Sequence, residues 1–131
     1  MLVFLVRHAH SDPGDPDELR SLSARGRDEA QGLATRLGAH ETPPRLVFTS
    51  PLARARETAE LVAETVGAEV RVDHRLAPGT TAELLRETVT GLDGPVAAVA
   101  HQPDCSEIAL AVLGRDPGFP VAGMAELELI A

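Results

Sequence analysis

The sequence predicts an α/β domain in three layers, with helices on both faces of a mostly parallel five-stranded sheet. Three observations lead there. Leu2–Val6 and Val96–Ala100 are short continuous apolar runs, with the length of strands buried on both faces. Strand-like and helix-like segments alternate along the chain, which implies crossover connections and parallel strands. The 131 residues suit a single domain, 1–131, with its own core; no internal repeat or linker interrupts it.

The elements follow in order. The first strand, Leu2–Val6, ends at Arg7 and His8. Ser11 to Glu18 carries Pro13, Gly14 and Pro16 among acids and reads as a solvated loop. Ser23 can cap a helix running to about Leu37, where Ala30, Leu33, Ala34 and Leu37 share one apolar face and Gly38 suits the end. Pro43 and Pro44 break the chain before a short strand, Leu46–Thr49. Ser50 is placed to cap the next helix, with Pro51 at its first position. Ala55, Ala59, Val62 and Val66 give that helix a narrow face, and Gly67 ends it. Glu69–Val72 alternates as a third strand, and Thr81 can cap a short helix to about Val89. The strand Val96–Ala100 ends at His101; Pro103–Leu113 is a helix closed by Gly114. Met124–Ala131 alternates apolar and acidic residues, as a half-exposed edge strand does.

Composition narrows the function. The net charge of −8 repels nucleic acid, so no nucleic-acid partner is expected. No run of ~18 apolar residues is present to span a membrane. The N-terminal apolar run is too short for a signal peptide and lacks a basic region before it, so the expected location is cytoplasmic. All twelve basic residues are Arg. The one cysteine, Cys105, cannot form an internal disulfide, and no paired-cysteine metal motif occurs.

In an open parallel sheet, sites form beyond the carboxyl ends of the strands. Arg7 and His8 follow the first strand, Ser50 and the Arg54 helix the second, and His101 the fourth. The topology therefore gathers two guanidiniums and two imidazoles on one sheet edge, an anion pocket in an acidic protein. Arg54 falls in the first turn of its helix, where free N–H groups and the positive end of the dipole favour a phosphate. An Arg fork binds phosphate oxygens two at a time. Arg56 points to another side of the helix, and His10 shares the strand-side parity of His8 and borders the pocket or the surface.

These patterns resemble a known family. Strand-Arg7-His8-Ala9, Leu22-Ser23-x-x-Gly26, Ser50-Pro51-Leu52-x-Arg54-Ala55-x-x-Thr58 and Val99-Ala100-His101 are similar, in order and spacing, to the histidine phosphatase (phosphoglycerate-mutase-like) superfamily. The short length is similar to its bacterial phosphohistidine phosphatase branch. The resemblance implies that His8 attacks phosphorus and carries a phosphohistidine intermediate. It implies that Arg7 and Arg54 hold the phosphoryl oxygens and that His101 donates to them. It implies no cofactor and no metal, since the guanidiniums supply the positive charge. The expected partner is a phosphorylated protein bearing phosphohistidine, or a small phosphorylated metabolite.

Two departures stand out. Ala9 replaces the Gly often found after Arg-His. The segment after the third strand, where many members carry a Glu, reads Leu76-Ala77-Pro78-Gly79. Glu83, Asp12 and Asp104 remain candidates for a general acid, although none matches the motif. An alkoxide leaves poorly without a proton from the enzyme, whereas imidazole, with a conjugate-acid pKa of ~6.5, leaves readily. The missing Glu therefore favours phosphohistidine.

Other readings compete. Cysteine phosphatases need an Arg six residues after the nucleophile; Ala111 stands there, so Cys105 is expected to be a buried, inert thiol. His8, His10 and His101 resemble the metal-ligand layout of some (β/α)8 hydrolases, but such barrels need ~250 residues. The acids between Asp12 and Glu18 read as a solvated loop rather than a cation site. A non-catalytic phosphate-binding module remains open.

Overall fold

The computed structural model describes residues 1–130. Five strands, β1 (Leu2–Arg7), β2 (Leu46–Thr49), β3 (Glu69–Val72), β4 (Val96–Ala100) and β5 (Met124–Glu128), form one sheet in the order β3-β2-β4-β1-β5. The first four pair in parallel; β5 runs antiparallel to β1. Four helices, α1 (Ala24–Gly38), α2 (Ala53–Val66), α3 (Ala82–Val89) and α4 (Asp104–Leu113), connect them. The expected edge strand, Met124–Ala131, is observed over Met124–Glu128; Leu129 and Ile130 are not part of the strand, and Ala131 lies outside the described residues.

Strand periodicity sorts the core into two halves. Phe4, Val6, Ala97 and Val99 face α1 and α2, meeting Leu33, Leu37, Ala55, Ala59 and Val62. Val3, Leu5, Ala98 and Ala100 face the other way, towards Leu85, Val89 and Ile108 of α3 and α4. A strand that feeds both layers must be apolar at every position, which is why Leu2–Val6 reads as an unbroken run. The alanines of β4 keep the centre of the sheet thin, so the helices pack closely on it. Val66 of α2 is only partly buried at the margin of its half.

The capping chemistry matches at two of three expected positions. The Ser23 hydroxyl accepts from Gly26 N–H at 3.0 Å, and Thr81 accepts from Leu84 N–H at 3.2 Å. Ser50 does not cap α2. Leu52 occupies that position, its carbonyl accepting from Ala55 N–H and Arg56 N–H. The Ser50 hydroxyl instead accepts from Leu52 N–H at 3.2 Å, so residues 50–52 form a turn and the helix starts at Ala53. Arg54 remains in the first turn. Pro103 likewise precedes α4 as its N-cap residue instead of opening it.

The chain order explains the site. β4 lies between β1 and β2, although it is the fourth strand in sequence. Residues following β1, β4 and β2 are therefore neighbours across the sheet: His8 N–H donates to Ala100 O at 3.2 Å, and Ser50 N–H donates to Val99 O at 3.0 Å.

Candidate active site

The segment after β1 is pinned from two helices. Ala9 N–H donates to the Thr58 hydroxyl of α2 at 3.1 Å, and that hydroxyl donates to Arg54 O at 2.8 Å. His10 N–H donates to Glu29 Oε1 of α1 at 2.9 Å, and His10 Nδ1 lies 2.7 Å from the Ser23 hydroxyl. Ser23 N–H in turn donates to the His10 carbonyl. Gly26 permits this approach: a Cβ there would overlap the His10 carbonyl oxygen. The Ser23-x-x-Gly26 and Arg54-x-x-x-Thr58 spacings thus have one purpose, to seat the backbone on either side of His8.

His8 is held in one tautomer. Its Nδ1 lies 2.7 Å from the Ala9 carbonyl, which can only accept, so the ring proton resides on Nδ1 and Nε2 keeps its lone pair. Burial lowers the His8 pKa to about 4, assisted by the positive charges of Arg54, Arg7 and Arg20 and opposed by the bond to Ala9. At neutral pH the ring is an uncharged nucleophile-competent imidazole.

His8, Arg7 and Arg54 line a cavity of about 290 Å³ together with His10, Ser11 and Arg20. Arg7 Nη1 donates to the Phe119 carbonyl at 2.9 Å, while its buried Nε has no protein partner. Arg54 is 8% exposed. Its guanidinium donates to the Asp17 carbonyl at 3.0 Å and to Asp17 Oδ2 at 3.2 Å. Arg20 Nη1 takes Asp17 Oδ1 at 3.0 Å. These two guanidiniums hold the exposed Asp17 carboxyl below its ordinary range, so it is ionised and has no proton to give.

His101 does not line the cavity. It is 3% exposed, with its ring centroid 5.1 Å from that of His8 and its Nε2 2.8 Å from the Ser50 hydroxyl. Its Nδ1 is buried without a partner. Burial lowers its pKa to about 3, reinforced by His8 and Arg54 and opposed by Asp17.

The structure brings Arg7, His8, Arg54 and His101 together, but none of the three proposed acids joins them. Glu83 lines a larger cavity of about 420 Å³ between α3 and α4, which contains no basic side chain. Asp104 is buried and its Oδ2 accepts from Gly79 N–H at 2.8 Å, closing the loop that follows the short 3₁₀ turn His74–Leu76. Asp12 is exposed; its carbonyl accepts from Arg20 Nε. Among the described residues no carboxylate lines the His8 cavity. Cys105 is fully buried, its thiol directed at Val6 O, and burial pushes its pKa up to about 12. Among the described residues no group of three or more His, Cys, Asp or Glu side chains is arranged to hold a metal ion.

Arg20 and Asp17 are the site residues that sequence reasoning missed; it places Ser50 on the right edge but as a helix cap. A single antiparallel bridge, Ser11–Leu22, folds the intervening loop back over the cavity and delivers Asp17 and Arg20 to it. The available signal was an Arg standing two residues before the Leu22-Ser23 motif, at the end of an otherwise acidic loop.

Comparison with known proteins agrees with this geometry. A chain from Agrobacterium tumefaciens, provisionally described as the phosphohistidine phosphatase SixA, superposes with a TM-score of 0.84 at 26% identity, covering 97% of this chain and 90% of that one. A protein histidine phosphatase SixA complexed with tungstate gives a TM-score of 0.87 at 24% identity, covering 98% and 88%. A mycobacterial glucosyl-3-phosphoglycerate phosphatase complexed with VO3 gives 0.75 at 24% identity, covering 97% and 90%. An uncharacterised protein of Picosynechococcus sp. is 32% identical over 124 residues, 86% of this chain and 73% of that one. The sequence profile of the histidine phosphatase superfamily (branch 1) matches residues 3–80, which hold Arg7, His8 and Arg54. That match spans more than half of the chain, and the chain belongs to the histidine phosphatase superfamily.

Proposed function

We propose that the protein is a phosphatase that works through a covalent phosphohistidine on His8 and acts on protein phosphohistidine. The observation that carries this reading is the tautomer of His8. Its Nδ1 is committed to Ala9, so Nε2 offers a lone pair towards a cavity walled by guanidiniums. The Nε2 lone pair attacks phosphorus as the bond from phosphorus to the leaving group breaks, and the leaving group takes the bonding pair. Water then attacks phosphorus, the P–Nε2 bond breaks with its pair returning to Nε2, and inorganic phosphate leaves while the proton lost by the water passes to phosphate or solvent. Arg7 and Arg54 offset the charge on the equatorial oxygens in both steps.

Two features support phosphohistidine as the substrate. Among the described residues no carboxylate lines the cavity, and Asp17 beside it is ionised, so a poor leaving group would lack a proton donor. Imidazole needs none from the enzyme: with its second ring nitrogen protonated in the substrate it departs as the neutral ring. The likeness in fold to SixA proteins, one of them bound to tungstate, agrees with an oxyanion seat open to a protein side chain. The likeness to a glucosyl-3-phosphoglycerate phosphatase keeps a small phosphorylated metabolite as the second reading.

Phosphate release from a phosphohistidine-bearing domain, para-nitrophenyl phosphate and 3-phosphoglycerate, measured with wild type and His8→Ala, tests both parts. Turnover confined to wild type and fastest on phosphohistidine is the expected result. Turnover only on the small esters would keep the mechanism and move the substrate to metabolites. Phosphate binding without turnover on any of them would overturn the enzymatic reading.

A further inference from the structure

We propose that Ser50 is a positioning residue for His101, fixing which ring nitrogen carries the proton. The inference rests on the phosphatase reading above for its consequence, but not for its geometry. His101 has two ring nitrogens with different fates. Nε2 is engaged by the Ser50 hydroxyl at 2.8 Å; Nδ1 is buried and has no protein partner. Any contact between His101 and a phosphoryl oxygen must therefore use Nδ1, and it attracts that oxygen only if Nδ1 carries a proton.

Ser50 supplies that condition. A hydroxyl has one proton to give and two lone pairs to offer. Leu52 N–H, which can only donate, takes one lone pair at 3.2 Å. Among the described residues the hydroxyl has no other hydrogen-bond partner besides Nε2 of His101, so its proton is satisfied only if Nε2 accepts it, which places the ring proton on Nδ1. Burial supports the uncharged ring on which this choice of tautomer depends. Ser50 is itself completely buried, and its backbone is locked to β4 through Val99 O, so the hydroxyl has a fixed origin. The same turn explains why Ser50 gives up the helix cap: its oxygen serves the turn and the imidazole instead.

A merely structural serine would fill space and satisfy Leu52 N–H. A positioning serine also sets the ring state of His101, and that can be read directly. Long-range ¹H–¹⁵N correlation spectra of wild type, Ser50→Ala and Ser50→Thr distinguish the two neutral tautomers. Wild type and Ser50→Thr should show the Nδ1–H form of His101, and Ser50→Ala should gain the Nε2–H form. In parallel, kcat on a phosphohistidine peptide should fall about 10- to 100-fold in Ser50→Ala, short of the 10²–10³ typical of deleting an oxyanion donor outright. Ser50→Thr should recover most of it. A wild-type His101 in the Nε2–H form would overturn the proposal whether or not either variant folds. So would a folded Ser50→Ala with unchanged tautomer and kcat. Absence of turnover in wild type with the Nδ1–H form intact would instead count against the phosphatase reading alone.

Discussion

Asp17 and Arg54 form an ion pair of 3.2 Å across the mouth of the His8 cavity, and the Asp17 carbonyl takes a second hydrogen bond from the same guanidinium. The fork that would grip two phosphoryl oxygens is therefore engaged by two oxygens of one aspartate. A phosphate entering the cavity competes with that residue for Arg54. Asp17→Ala should lower the concentration of inorganic phosphate or tungstate giving half-maximal inhibition, by about two- to fivefold, since an ion pair whose carboxylate is exposed to water is weak. Inhibition curves for the two proteins at one ionic strength check it; weaker inhibition in the variant would show that Asp17 helps to hold Arg54 in its productive pose.

Arg54→Ala should reduce kcat/KM by about 10²–10³-fold, the range seen when one donor to a developing oxyanion is lost. Arg54→Lys should recover only part of this, because a point charge replaces a planar fork. Steady-state kinetics on para-nitrophenyl phosphate would reveal the ranking, and near-wild-type activity in Arg54→Ala would remove this residue from the phosphate seat.

The stability of the fold should fall on mild acidification. His8 and His101 have folded pKa values of about 4 and about 3, both below the ordinary 6.5. Between pH 6.5 and 4 the unfolded chain therefore binds more protons at these two positions, and stability drops as pH falls through that window. Each histidine should contribute about 2 kcal/mol to the difference between pH 7 and pH 5. Urea unfolding of wild type and His8→Ala at the two pH values should show a smaller loss in the variant. Equal losses would mean that His8 is not titrated in the way its burial implies.

Two glycines in α1 should respond oppositely to alanine. Gly26→Ala drives a methyl group into the His10 carbonyl and should destabilise the fold by about 1–3 kcal/mol or more, lowering activity through the displaced His8 segment. Gly32 is exposed on the same helix, with Arg36 Nη1 at 3.9 Å as the nearest atom to an added Cβ. Gly32→Ala should stabilise by up to about 1 kcal/mol. Thermal unfolding of the pair would expose any error in the packing of α1 against the segment after β1.

Much of this was legible because the chemistry sits where strands stop. An apolar run that ends in a histidine announces both the strand and the position of the side chain beyond it, so the sequence alone places His8 and His101 on one edge. Ser50 was misread for a reason of the same kind. A serine before Pro51 has the local signature of a helix cap, and only the insertion of β4 beside β2 reveals the imidazole that claims its hydroxyl. Asp17 and Arg20 were illegible for longer-range reasons: their loop returns to the cavity through a single bridge, and one residue pair leaves no periodic trace. Asp104 looked like an available acid because it opens a helix next to His101, yet the loop at Gly79 consumes its carboxylate.

The place of β4 in the sheet also carries a consequence for biosynthesis. When a growing chain has produced β1, α1, β2 and α2, the two strands that lead to His8 and Ser50 have no direct partnership; the lane between them awaits a strand that begins thirty residues beyond the end of α2. Pairing across such a sequence distance is slow relative to local structure. Arrival of β4 closes the sheet, buries its alanines between both helical layers and brings His101 to within reach of His8 in one event. The imidazole of His8, synthesised first, thus acquires its companion His101 only when the central lane is filled, and on the proposed reading the site is incomplete until then.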